Sequence, residues 1–500
     1  MNARIPSQAL DSAQALEQIS RQWDGDIVAR ITDLIGVPAK SPAFDADWAQ
    51  HGFIDRVLQD AANWVQAQKV PGLVLEIIRL PGRTPVMFFE VPATSSVHRQ
   101  TVLMYGHLDK QPEFTGWRSD LGPWTPKYED GKLYGRGGAD DGYSVYAATA
   151  AIQALKAQNL PHPRIVGLFE TSEESGSIDL LPYIDALRAT GRNRLGDVAL
   201  VVCLDSGCGS FDQLWLTTSL RGMAMGVLKV EILTEGVHSG DASGLVPSSF
   251  RIMRQVLDRL EDSATGRLLP ASFHCDIPAE RIEQAKATAE VLGDLVYKRF
   301  PWAHHDCGGA VQTALPTTTD PVQALLNRTW LPTLSVTGAE GFPALKDAGN
   351  VLRPYTAFKL SLRLPPLVDA ARAVQQLKAL LEDNAPYQAK VTFEGAGGAT
   401  GWNAPATQPW LKSALDAASQ AHFGAPCGYI GQGGTIPLMN VLAEGFPRAQ
   451  MMVCGVLGPR SNAHGPNEFL HVPFAKRLTA AVAQVISQVP ADEDTLARGA

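Results

Sequence analysis

The sequence predicts an α/β protein whose sheet-bearing domain is interrupted by a smaller α+β domain. Three observations carry this. Continuously apolar, strand-like runs occur towards both ends of the chain, and segments of helical spacing alternate with them. The middle of the chain changes to runs of alternating polarity, as strands covered on one face require.

The strand-like runs, in order, are Leu73–Leu80, Val86–Val91, Thr101–Tyr105, Ile165–Glu170, Val198–Leu204 and Gln450–Cys454. Several are apolar throughout, which suits central strands buried on both faces. Ser144–Lys156, rich in Ala, and Pro473–Val489 have helical spacing. In the middle, strands are expected at Ala224–Leu233, Thr333–Thr337, Tyr355–Leu364 and Ala389–Phe393, and helices at Ser248–Glu261, Glu280–Phe300 and Ala370–Leu381. Two helices on one face of a small antiparallel sheet satisfy that pattern. The Gly-rich stretch Gly395–Gly401 is expected to return the chain to the first domain. The predicted division is therefore 1–218 and 395–500 for the first domain and 219–394 for the insert.

Five hundred residues exceed one ordinary core, in keeping with two domains. Hydrophobic residues make up 45% and charged ones 19%, a compact globular composition. The net charge of −8 and the lack of any long Lys/Arg run argue against nucleic acid or an anionic membrane as partner. Met1–Gln22 carries Arg4, Asp11 and Glu17 and has no apolar centre, so it is not a secretory signal. No run of about 18 apolar residues occurs, and the expected location is cytoplasmic. The six cysteines (203, 208, 275, 307, 427, 454) form no Cys-x-x-Cys pair, and most read as reduced core thiols.

Polar residues with chemical capacity gather at the ends of the apolar runs. His107 and Asp109 stand two apart after Thr101–Tyr105 and point the same way if the strand continues, so one can ligate a metal while the other orients it. Asp140 follows Tyr134-Gly-Arg-Gly-Gly-Ala139, whose glycines permit close backbone approach to a ligand. It also suits a helix N-cap, with Asp141 the plainer cap. The adjacent carboxylates Glu173 and Glu174 repel each other unless a cation or proton intervenes. One metal-bound and one free Glu resolves that conflict, and the free one becomes a general base. Asp205 ends the most hydrophobic strand, and His464 lies in a polar Pro/Gly-rich loop. Ligands of open α/β sheets bind at the carboxyl ends of strands, where these positions fall.

Together, Gly106-His-Leu-Asp-Lys-Gln-Pro112, Tyr134–Asp141, Glu173-Glu-Ser-Gly-Ser177, Asp205, Val237-His-Ser-Gly240, Ser361-Leu-Arg-Leu364, Gly433-Gly-Thr-Ile-Pro437 and His464-Gly-Pro-Asn-Glu468 resemble the M20 metallopeptidase family. The likeness is to its carnosinase-like dipeptidases and related carboxypeptidases, and the motifs run in the family's order along almost the whole chain. The resemblance implies a mixed-sheet, di-metal aminopeptidase-like catalytic domain with an inserted lid and dimerisation domain. It implies two divalent ions, with Asp140 bridging them, His107 and Asp205 on one, and Glu174 and His464 on the other. Glu173 then matches the general base, acting on a metal-bridging water, and Asp109 the residue orienting His107. His238 matches a lid imidazole that enters the partner subunit's site and stabilises the oxyanion. Asn350, Arg363, Gly433, Gly434 and Thr435 match substrate-binding positions. Two departures stand out: Gly142-Tyr143 where many relatives have Lys-Gly, and Asp241 after His-Ser-Gly. Neither is expected to touch a ligand.

A donor set of O and N atoms without thiolate suits Zn²⁺, and Mn²⁺ or Co²⁺ as well. The function so implied is hydrolysis of dipeptides or short peptides with a free C-terminal carboxylate, by a homodimer joined through the lid. The alternatives are an aminoacylase-like hydrolase of N-acyl amino acids and, more remotely, a non-catalytic peptide-binding protein.

Overall fold

A computed structural model describes residues 9–491 except 190, 192, 308, 309 and 437. Met1–Gln8, Pro437 and the side chain of Cys307 thus lie outside what is described. The chain forms two compact units, residues 1–217, 404–430 and 441–500 in one and residues 218–403 and 431–440 in the other.

The first unit is built on a six-stranded sheet in the order Val74–Ile78, Val86–Val91, Arg164–Glu170, Thr101–His107, Val198–Cys203, Gln450–Val453. The last four run parallel, and the first two extend the sheet antiparallel. Thr101–His107 and Val198–Cys203 are buried at every position, which is why their sequences are apolar runs without alternation. The helices Ser144–Ala157 and Val472–Ser487 pack on one another, with most of their residues buried. The parallel arrangement sends the ends of three adjacent strands, at His107, Glu170 and Cys203, out of the same edge of the sheet. The site grows from that edge.

The second unit carries a four-stranded antiparallel sheet in the order Thr333–Glu340, Tyr355–Leu364, Gly222–Glu231, Lys390–Ala399. Gly222–Glu231 alternates between buried and more exposed positions along its length. The helices Ser249–Leu257 and Ala370–Glu382 bring Ile252, Met253, Val256, Leu377 and Leu381 into one core with Leu228, Leu360, Leu362 and Phe393. Arg363, between Leu362 and Leu364, is therefore on the uncovered face.

Two expectations need correction. The helix foreseen over 280–300 breaks at Gly293, in the left-handed region with φ 53°, into Ala279–Leu292 and Leu295–Lys298. It also packs against Pro321–Thr329. Residues 395–403 do not return to the first unit: Lys390–Ala399 stays paired with Gly222–Glu231 as far as Ala399 opposite Met223. Among the described residues, five cysteines are free, four buried and Cys275 half-buried. No helix of the described residues is long and apolar enough to cross a membrane.

Candidate metal centre and its lid residues

The centre forms where strand ends meet two loops of the first unit. Gly106 permits the approach, since a Cβ there would strike the Ser144 hydroxyl and come within 2.8 Å of Asp141 Oδ2. The next residue, His107, is fully buried. Its Nδ1 lies 3.1 Å from the main-chain oxygen of Asp109 and 3.4 Å from Oδ1 of the same residue. Its Nε2 makes no hydrogen bond and faces Asp140 Oδ1 at 3.5 Å and Asp205 Oδ2 at 3.8 Å. A buried ring nitrogen aimed at two carboxylates, with no proton-sharing geometry to either, suits a metal ligand.

Asp140 stands between two imidazoles. Oδ1 faces His107, and Oδ2 lies 3.0 Å from His464 Nε2, which is also 3.4 Å from Glu174 Oε2. Gln111 Nε2 donates to that same Glu174 oxygen at 2.6 Å. Two sets of donor atoms form, His107–Glu173–Asp205 and His107–Asp140–Glu174, and within each set the atoms lie within 4.8 Å of one another. Glu173 thus lies as near to one set as a ligand would.

The electrostatics follow from this crowding. Burial, then the charges of Asp205, Glu174 and Glu170, hold the Glu173 carboxyl well above the ordinary range, against the pull of His107. Burial and Asp140 raise Glu174 to about 8. Burial chiefly raises Asp205, with Asp140 adding and His107 opposing. Burial disfavours the charged form of His107, yet Asp109, Asp140 and Asp205 outweigh it and lift its pKa well above the usual value. Burial likewise opposes protonation of His464, but Glu174 and Asp140 raise it to about 9. In Asp140 burial pushes up while the two imidazoles pull the carboxyl well below its usual range. Divalent cations would displace the protons that this crowding retains. All-oxygen and nitrogen donors, an orphaned ring nitrogen and repelling carboxylates fit divalent metal ions.

Several contacts were not legible in the sequence. The Asp109 carboxylate accepts the backbone N–H of Glu173 at 3.1 Å and of Glu174 at 3.0 Å. It thereby fixes the short 3₁₀ turn Glu173–Ser175 as well as facing His107. Asp141 is not a plain helix cap: it is buried, Oδ2 accepts the His107 N–H at 3.4 Å, and the following helix begins at Ser144. Tyr143, one of the departures, is buried too, and its hydroxyl donates at 2.7 Å to the oxygen of Leu204, the residue before Asp205. Its neighbour Gly142 has no room for a Cβ, which would meet the Gly137 oxygen at 2.5 Å. The Arg136–Glu468 ion pair is buried, and Arg136 Nη2 also donates to Gly465 O, next to His464.

The remaining predicted residues belong to the second unit. Exposed His238 pairs with Val351 across a two-stranded ladder, and the Ser239 N–H donates to Asn350 O at 2.9 Å, so His238 and Asn350 are neighbours. A Cβ on Gly240 would meet the His238 ring at 2.9 Å. Arg363 Nη1 donates to Thr435 Oγ1 at 3.1 Å, and that hydroxyl donates to Arg221 O at 2.6 Å. Gly433 O accepts from Arg221 Nε at 3.3 Å, whereas Gly434 has open space where a Cβ would be.

Known proteins resemble this chain in sequence and in fold. A cysteinylglycine-S-conjugate dipeptidase of Corynebacterium striatum is 28% identical over 434 residues, 84% of this chain and 88% of the relative. A β-Ala-His dipeptidase of Rattus norvegicus is 28% identical over 372 residues, 71% of this chain and 70% of the relative. The solved structure of the dipeptidase Dug1p from Saccharomyces cerevisiae superposes with a TM-score of 0.74 at 21% identity, covering 97% of this chain and 100% of that one, and shares the fold. The sequence profile of peptidase family M20/M25/M40 matches residues 103–488, and the chain belongs to that family.

Proposed function

We propose that this metal-dependent peptidase cleaves dipeptides with a free C-terminal carboxylate, using two divalent cations held by the first unit. One observation carries the reading: the Asp140 carboxylate presents one oxygen to His107 and the other to His464, with Asp205 and Glu174 beside them. His107, Asp140 and Asp205 would hold one cation, and Asp140, Glu174 and His464 the other. The donor set suits Zn²⁺ best among the candidates. When bound, such a pair polarises the scissile carbonyl and acidifies water.

The protein's own groups do the rest. A Glu173 carboxylate oxygen takes the proton of the attacking water and passes it to the departing amide nitrogen. Asp109 holds Glu173 at its station through the backbone N–H of that residue. His238, supplied by the lid of a second copy, donates to the oxyanion, with Asn350 beside it. Arg363 and Thr435, with the Gly433–Gly434 backbone, receive the substrate's terminal carboxylate. The homodimer is supported by the outer edge of Thr333–Glu340, a strand with one sheet neighbour, and by exposed Phe250, Phe342 and Leu345 in the same unit. Five free thiols among the described residues suit the reducing cytoplasm, and recovery in another cell fraction would overturn that.

The names of the two curated relatives support dipeptides over N-acyl amino acids. A panel of dipeptides and N-acetyl amino acids, run on metal-reconstituted enzyme, tests this. Dipeptides should have the higher kcat/KM; the reverse order would give the site to aminoacylase chemistry.

A further inference from the structure

The bend at Gly433–Thr435 in the second unit is bordered by three arginines, Arg221, Arg328 and Arg363. Arg363 reaches Thr435. Arg221 is satisfied by neutral acceptors alone, Gly433 O at 3.3 Å, Thr333 Oγ1 at 3.1 Å and Leu331 O at 3.4 Å. Arg328, on the helix Pro321–Thr329, borders the same bend: a Cβ on Gly433 would lie 3.1 Å from Arg328 O, 3.5 Å from its Cγ and 3.1 Å from Arg221 Nη2. Among the described residues the Arg328 guanidinium has no hydrogen-bond or ion-pair partner, and its Nε is buried without an acceptor.

These charges press on each other. Burial, then Arg363, lowers Arg221 to about 10, and burial, then Arg299 and Arg221, lowers Arg328 to about 9. No carboxylate contributes to either. Arg328 is half-buried, and an arginine keeps its proton at neutral pH, so its charge, with Nε lacking an acceptor, is relieved when an anion meets it. A terminal carboxylate accounts for Arg363 and leaves Arg328 unmatched.

We propose that Arg328 forms a second anion subsite, beside Arg363, which takes the side-chain carboxylate of an acidic C-terminal residue. Arg221 positions the bend between them. The proposal rests on the dipeptidase reading and narrows it to peptides ending in Glu or Asp.

Calorimetric titration of the metal-loaded full chain with L-glutamate and L-glutamine, the products of two peptides differing only in that charge, tests it without turnover. Glutamate should bind about tenfold tighter or more, the scale of one charge-assisted hydrogen bond. Arg328→Gln should bring the ratio close to one, and Arg328→Lys, which keeps the charge, should retain part of it. Circular dichroism would establish that both variants fold. Equal binding by the wild type, or a ratio that survives Arg328→Gln, overturns the proposal. Ala-Glu and Ala-Gln hydrolysis should follow the same order. If neither is cleaved while the glutamate preference stands, the peptidase reading fails and the anion subsite remains.

Discussion

The two units each crowd like charges, but of opposite sign and with different means of relief. In the first, Glu173, Glu174, Asp205 and Asp140 share one depression with two imidazoles. In the second, Arg221, Arg328 and Arg363 share one bend. Carboxylates and imidazoles adjust by holding protons, as the raised positions of Glu174 and His464 show. Guanidiniums have no such recourse at neutral pH, so Arg221 is sheltered by carbonyl and hydroxyl oxygens instead. Crowding of either sign is unfavourable for folding alone. In both places a ligand of the opposite charge would relieve it.

That contrast can be broken hardest at Glu173. The Glu173→Gln variant should keep both cations, measured by metal analysis, and lose about 10²–10⁴-fold in kcat, the usual share of a general base. Loss of metal along with activity would make Glu173 a ligand, a role its place beside His107 and Asp205 also permits. A smaller effect comes from the lid. His238→Ala should cost about 10²–10³ in kcat, as for one oxyanion donor. Mixed dimers of His238→Ala with Glu173→Gln subunits should regain activity at one of their two sites, and absence of any rescue would rule out sharing across the interface.

The mildest test is pH. Glu174, Asp205 and both imidazoles hold protons more tightly in the metal-free fold than in the unfolded chain. At these groups the folded state thus binds more protons, and their contribution to stability falls as pH rises from about 5 to 8, through the raised value of Glu174, outweighing the opposite effect of buried His162 and His422. Metal-free protein should melt several degrees lower at pH 8 than at pH 5, a shift of the size about 1–2 kcal/mol produces. Saturating Zn²⁺ should flatten that dependence. A metal-free melting temperature that rises over this range would contradict the crowding.

Much of the architecture was legible because burial leaves a periodic mark. Thr101–His107 and Val198–Cys203 are apolar throughout since both faces are covered, and Tyr355–Leu364 alternates since one is. Chain segments with weaker marks misled: Gly-rich 395–399 looked like a linker and is an edge strand, held by pairing that composition does not reveal.

The order of motifs along the chain and the chemistry of their side chains, a set of oxygen and nitrogen donors at strand ends, were determined by the sequence itself. Which atoms meet was decided by tertiary structure. The Asp109 carboxylate serves backbone groups 64 and 65 residues away, Tyr143 reaches across 61 residues to the chain before Asp205, and Arg328 comes to the bend at Gly433. Such contacts depend on how whole strands and helices pack, and local residue patterns carry no record of partners that only folding brings within reach.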